Sequence, residues 1–149
     1  MLATATEVWW IDSRVAVTLT AEESGGQLGT WLWEARGGAA APLHVHERED
    51  EQFLVVDGSV GFVIGDERLT AGAGESVFLP RRVPHAYVVL SESARVVGSA
   101  TPGGFEAFFS ELGTPIIPGE PEAPGPSIPE LAAGAPRFGV TILGPPPAF

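Results

Sequence analysis

Short apolar or alternating runs, separated by turn residues at intervals of about 8–12 residues, fill the chain from Val8 to Thr101. Candidate strands cover residues 8–11, 15–19, 28–35, 52–57, 60–64, 76–79, 86–90 and 95–101. Gly-containing turns are expected at residues 24–26, 57–58, 65–66 and 72–74. Helical periodicity is absent from this region, so the sequence predicts an all-β sandwich or barrel.

One helix is expected after the last of these strands. Its apolar side chains have the spacing i, i+3, i+4 and i+7, at Phe105, Phe108, Phe109 and Leu112. Thr101 is the candidate N-cap, Pro102 suits the first helical position, and Gly113 ends the helix. The apolar stripe must cover one open side or mouth of the barrel, either as core packing or as a lid over a ligand.

The C-terminal segment has a different composition. Ten of the fourteen prolines lie between Pro115 and Pro147, which predicts extended backbone with few hydrogen bonds. We therefore divide the chain into residues 1–113, a single barrel with its packing helix, and residues 114–149, a Pro-rich tail that docks on it. Within the tail, residues 128–133 are expected to form a short helical turn and residues 138–143 an edge strand.

Charge and residue content exclude several functions. Eight basic against nineteen acidic residues give a net charge of −11, which disfavours binding to nucleic acid or to an anionic membrane. All the basic residues are Arg, and with neither Lys nor Cys the chain has no Schiff-base lysine, catalytic thiolate or thiolate metal ligand. The N-terminus lacks the pattern of a signal peptide and no run approaches the ~20 apolar residues of a membrane span, so a cytoplasmic protein is expected.

The three histidines can be placed in one arrangement. In an extended segment His44 and His46 project from the same face, and His85 begins another strand. Glu51 follows one short loop later, and its carboxylate beside neutral imidazoles is a suitable donor set for a divalent metal. Asp50 would replace it if the loop were one residue shorter, and the rest of the acidic run is expected to be a solvated loop.

The segment GGAAAPLHVHEREDEQFLVVDG resembles the first signature of the cupin superfamily, with the motif positions Gly38, His44, His46, Glu51 and Gly58. The segment GESVFLPRRVPHAYVV resembles the second signature, with Gly74, Pro80 and His85 at the expected spacing. Arg82 stands where that pattern has Gly, and Val89 where it has Asn. The helix and the late RFGVTILGPPP are similar to the ends of quercetin dioxygenase-like monocupins. The resemblance implies a double-stranded β-helix, or jelly-roll barrel.

A pocket beside the metal is expected to be apolar and aromatic. Period-two alternation places further side chains on the faces of Glu51 and His85. Two tryptophans on an earlier strand share a face and either line this cavity or sit between sheet and helix. The predicted pocket residues are Phe53, Val55, Tyr87, Val89, Trp31 and Trp33.

The resemblance also implies function. We expect one divalent transition metal (Fe, Mn, Ni, Co or Cu, with Zn at lower coordination number) held by His44, His46, Glu51 and His85, and Glu51 as the catalytic base. The expected substrate is an aromatic or polyketide-like molecule with an enol or hydroxy-ketone group, with dioxygen as co-substrate. Alternatives are a non-redox polyketide cyclase or isomerase and a non-catalytic binding module. A homodimer is expected, because barrel edges favour pairing.

Overall fold

The computed structural model describes residues 5–149. Residues 1–4, with which the predicted N-terminal unit begins, lie outside the described residues. Strands in the described range are β1 (Thr6–Trp10), β2 (Ser13–Leu19), β3 (Gly29–Arg36), β4 (Ala40–His46), β5 (Asp50–Asp57), β6 (Ser59–Ile64), β7 (Glu67–Gly72), β8 (Ser76–Leu79), β9 (His85–Val89), β10 (Ser93–Thr101), β11 (Thr114–Pro115) and β12 (Val140–Gly144).

The strands form two antiparallel sheets. One has the order β11-β1-β2-β3-β10-β5-β8 and the other the order β12-β4-β9-β6-β7. Inward-facing side chains alternate with outward-facing ones along most strands, as in β10, and the two inner faces form one core. The predicted all-β jelly roll is confirmed, and four of its predicted Gly turns carry glycines with positive φ.

Three strands were missed by the sequence analysis: β4, β7 and the two-residue β11, which pairs with β1. β4 contains Pro42, which cannot donate to a sheet ladder, and its pairing with β9 shows an irregularity between Ala41 and His44. β7 is an edge strand whose side chains are mostly exposed, so it lacks a strong apolar alternation. β4 matters for function, because it is the extended segment that carries His44 and His46.

The predicted start of the helix is wrong. Helix α1 covers Glu106–Leu112, whereas Thr101 is the last residue of β10 and pairs with Asp50. The reason is a tertiary contact: the buried Glu106 carboxylate accepts hydrogen bonds from the backbone N–H groups of Gly104 and Ala21, and this replaces a local cap. The predicted end is correct, since Gly113 is the C-cap.

The tail contains regular structure close to the positions expected. Helix α2 covers Ile128–Gly134 and begins with a capping box between Ser127 and Glu130, a signal that the sequence analysis overlooked. A 3-10 helix (Ala135–Phe138) leads into β12, the edge strand paired with β4 in the register Val140 to His46 and Ile142 to His44. Across residues 5–149, no helix is long and apolar enough to cross a membrane.

Candidate metal centre

Four side chains from three strands converge between the two sheets. His44 and His46 lie on β4, His85 on the neighbouring β9, and Glu51 on β5 of the opposite sheet. All four residues are buried, and each offers one ligand atom within 4.8 Å of the others. The structure therefore brings together the whole ligand set expected from the sequence.

Hydrogen bonds to the main chain orient two of the imidazoles. Nδ1 of His44 lies 2.7 Å from the carbonyl oxygen of Pro42, and Nδ1 of His85 lies 3.2 Å from that of Val83. When each Nδ1–H donates to its carbonyl, the lone pair on Nε2 is left available as a ligand. The local backbone around both histidines thus fixes which nitrogen can bind a metal.

The ligand atoms fit a cation. Oε2 of Glu51 lies 3.2 Å from Nε2 of His46 and 3.1 Å from Nε2 of His85, and all three atoms are buried without a hydrogen-bond partner. Buried polar atoms rarely lack a hydrogen-bond partner in folded proteins, because leaving them unpaired is unfavourable. A divalent metal satisfies them together. Neutral imidazoles and a carboxylate suit several first-row metals, so the donor set leaves the identity open.

The electrostatics of the cluster favour the metal-binding protonation states of His44 and Glu51, whereas at His46 the carboxylates of Glu51 and Glu49 outweigh burial and raise the pKa. Burial, aided by repulsion from His85 and His46, lowers the pKa of His44 to about 3. Burial alone would raise the pKa of Glu51, but the neighbouring His46 and His85 outweigh it and lower the value to about 2. At neutral pH His44 is therefore a neutral ligand and Glu51 an ionised one.

Asp50, the alternative ligand, faces away from the cluster. Its carboxylate accepts hydrogen bonds of 3.1 Å from both Nε and Nη2 of Arg81, which hold its pKa below the usual value. The side chain is partly exposed on the outer surface. Of the two neighbouring carboxylates, the structure brings only Glu51 to the histidines.

The loop before His85 contains a strained residue. Arg82, at the position where the cupin pattern has Gly, adopts φ of 64°. Its backbone N–H donates to the carbonyl oxygen of His46 at 2.7 Å, which joins this loop to the end of β4. The chain thus adopts the glycine-type conformation without a glycine, and the loop still connects two ligand-bearing strands.

A cavity of about 50 Å³ lies beside His44, between the barrel and α1. Four of the predicted pocket residues line it: Trp31, Trp33, Phe53 and Tyr87. Val55 and Val89 are buried in the core and are not among its lining residues. Burial and the nearby Glu51 raise the pKa of Tyr87, so its phenol stays neutral and can donate a hydrogen bond.

Other residues of the cavity were not found from the sequence. Phe105 packs against His46 with ring centroids 4.4 Å apart, and Ser13 accepts a 2.7 Å hydrogen bond from the Trp33 indole. The tail adds apolar lining from Leu131, Val140 and Ile142. The periodicity of apolar residues in the sequence could predict that these side chains are buried. It could not predict which cavity they share, because that depends on how the tail docks.

A double-stranded β-helix that encloses three histidines and one carboxylate defines the class of this protein: a barrel with a buried cluster between its sheets that fits a divalent metal ion. Residues 31–98 match the family model described as the cupin domain. The chain belongs to the cupin superfamily, and the prediction made from its two motifs is confirmed.

Known relatives agree with this assignment. The chain is 31% identical over 103 residues to quercetin 2,3-dioxygenase of Bacillus subtilis (strain 168), a match that covers 68% of this chain and 31% of that protein. The chain therefore spans about a third of the length of this relative, and the similarity to quercetin dioxygenase-like cupins is confirmed over that part.

Solved structures share the fold at lower identity. KdgF from Halomonas sp. matches with a TM-score of 0.59 at 20% identity, over 64% of this chain and 84% of that one. A mutant of the oxalate decarboxylase of Bacillus subtilis matches with a TM-score of 0.60 at 22% identity, over 70% of this chain and 31% of that one. These two structures support the architecture.

Proposed function

We propose that this protein is a metal-dependent cupin enzyme that acts on an aromatic or polyketide-like molecule with an enol or hydroxy-ketone group, with dioxygen as co-substrate. The observation that carries the proposal is the aromatic cavity that reaches His44, so that a molecule bound there lies beside the ligand cluster. The similarity to a quercetin 2,3-dioxygenase supports the reaction class.

His44, His46, Glu51 and His85 would hold one Fe, Mn, Ni, Co or Cu ion, or Zn at lower coordination number. The ion, when bound, supplies a Lewis acid for the oxygen of an enol or phenol and, if redox-active, a partner for dioxygen. Glu51 is the group placed to take the proton from that hydroxyl, because it is ionised and buried next to the histidines. Tyr87 can donate a hydrogen bond to a substrate carbonyl from the cavity wall.

The cavity is too small for the proposed substrate unless its walls move. Pockets for drug-sized ligands have volumes of roughly 300–1,000 Å³, so about 50 Å³ does not hold an aromatic molecule without movement of the walls. The wall on the α1 side consists of Phe105, Phe108 and Phe109. The proposal therefore includes displacement of these side chains when substrate enters, which makes α1 a lid as well as core packing.

Oxygen uptake tests the reaction class. Untagged protein is purified without chelators, its metal is determined by elemental analysis, and separate Fe, Mn, Ni, Co, Cu and Zn forms are assayed with flavonols and enolic polyketides. The expected result is a near-stoichiometric metal and substrate-dependent oxygen uptake, both absent from His85→Ala. Product formed anaerobically with zinc would assign the cyclase or isomerase alternative instead. Tight ligand binding without product under any metal would assign the binding module.

We also propose that the protein is a homodimer, in contact through the outer face of the seven-stranded sheet near its β8 edge. Phe78 is 61% exposed there, close to Leu54 and Val97, which are paired across β5 and β10. These side chains are uncharged, which suits an interface between two copies of a chain with net charge −11. Light scattering should show a dimer that Phe78→Ser weakens and Ile117→Ser, at another exposed site, does not. The cytoplasmic location stays a prediction from the sequence.

A further inference from the structure

Glu49 is a buried carboxylate that the four-ligand set does not use. It lies in the turn between β4 and β5, and its side chain is only 5% exposed, whereas Glu47 in the same turn faces Arg82 at the surface. Oε2 of Glu49 is buried without a hydrogen-bond partner. An ionised carboxylate in that position is unfavourable unless it has a polar group to pair with.

The imidazole of His46 is such a group. Nδ1 of His46 lies 3.7 Å from Oε2 of Glu49, and it too is buried without a hydrogen-bond partner. The other two histidines direct Nδ1 at main-chain carbonyl oxygens, those of Pro42 and Val83. Glu49 therefore occupies, for His46, the place that a backbone carbonyl occupies for His44 and His85.

Packing leaves His46 little freedom to find another partner. Phe105 contacts one side of its ring edge to face, and the ring of His85 is nearly parallel to it, with centroids 5.4 Å apart and an interplanar angle of 6°. The ring is thus held with Nε2 toward Glu51 and Nδ1 toward Glu49. Shortening the 3.7 Å separation by less than 1 Å gives an ordinary charge-assisted hydrogen bond.

We propose that Glu49 is the positioning residue of the metal centre: it accepts the Nδ1–H of His46 and so fixes Nε2 as the ligand atom. The inference rests on the proposed function, since it assumes that the cluster binds a metal. Carboxylates that hold a ligating histidine typically change metal affinity 10- to 100-fold when they are removed. Glu49 acts through His46, so its removal should weaken the site without deleting a ligand.

The test compares Glu49→Leu, which removes the acceptor at similar volume, with Glu49→Gln, which keeps an acceptor oxygen without charge. Glu47→Gln is the control, because it removes an exposed charge from the same turn. Zinc affinity is measured by chelator competition. The expected loss is about 10- to 100-fold for Glu49→Leu, smaller for Glu49→Gln and absent for Glu47→Gln. Urea midpoints of the metal-free variants show that each one folds.

Nitrogen-15 NMR of the histidine rings distinguishes a positioning role of Glu49 from a purely structural one. In the zinc form at pH 8, Glu49→Leu should shift the Nδ1–H signal of His46 and speed its exchange with water, while those of His44 and His85 stay in place. An unmoved His46 signal together with wild-type zinc affinity would overturn the inference and leave the proposed function intact. If the wild type bound no metal, the proposed function would fail, and loss of the Nδ1–H of His46 from metal-free Glu49→Leu would still support the pairing.

Discussion

Replacing Arg82 by Gly should stabilise the protein, although it removes a side chain. The φ of 64° at Arg82 is a left-handed conformation, which costs an L-residue about 1–2 kcal/mol relative to Gly. With Gly at this position the unfolded chain has more conformational entropy, and this offsets about 0.4–1 kcal/mol of the gain in stability. The remaining gain is about 1 kcal/mol, which corresponds to a rise in Tm of roughly 2–4 °C for a domain of this size.

Arg82→Ala is the matched variant for this experiment. The guanidinium of Arg82 lies 3.6 Å from Glu47 at the exposed surface, and such pairs contribute little to stability. Ala removes this pair but keeps the Cβ, so the difference between Gly and Ala measures the backbone strain less the cost of Gly in the unfolded chain, without a contribution from the ion pair. The expected order of stability is Gly above Ala, with Ala close to the wild type.

Urea unfolding of the metal-free protein, followed by tryptophan fluorescence, measures these differences. Zinc affinity should be unchanged in both variants, since the bond from residue 82 to the carbonyl of His46 is made by the main chain. Equal urea midpoints for the Gly and Ala variants would refute the reasoning, because they would mean that the strain of the left-handed conformation does not exceed the cost of Gly in the unfolded chain.

Three further predictions follow from the metal centre and the core. Metal occupancy should fall below about pH 6, where free imidazoles protonate and compete with the ion, and occupancy maintained at pH 4 in a dialysis series would contradict imidazole ligation. The metal-free protein should lose stability as the pH falls from 4.5 to 3, because in this range the unfolded chain already carries a proton on His44 and takes one up on Glu51, whereas the folded protein, with pKa values of about 3 and about 2, keeps both groups largely unprotonated. A urea midpoint independent of pH there would contradict both shifts. Gly98→Ala should destabilise by about 1–3 kcal/mol, because its Cβ would overlap the Trp31 indole, while Gly144→Ala, with open space around it, should be close to neutral in the same urea assay.

The ligand set could be predicted from the sequence because it depends on local rules. His44 and His46 are two residues apart on one strand, so alternation alone places them on the same face. The motif spacing then adds Glu51 and His85 from the strands that follow. The same alternation identified Phe53 and Tyr87 as inward-facing side chains, and both line the cavity.

The features that were missed depend on contacts between distant parts of the chain. The start of α1 is set by Glu106 and Ala21, which are 85 residues apart, so a local capping rule at Thr101 could not find it. The burial of Glu49 likewise depends on how its turn packs over His46, and in the sequence it is one acid of a charged run. Spacing predicts which residues share a face, whereas tertiary packing decides which polar groups become partners.

The pairing of β12 with β4 couples the stability of the proline-rich tail to metal binding. The backbone of Val140 lies opposite His46 and that of Ile142 opposite His44, so opening this edge frees the strand that carries two of the ligands. A metal held by those histidines stabilises the closed edge by mass action. The rate of amide hydrogen exchange in residues 140–144 should therefore report metal occupancy. We expect slow exchange in the metal-bound protein and faster exchange after the ion is removed.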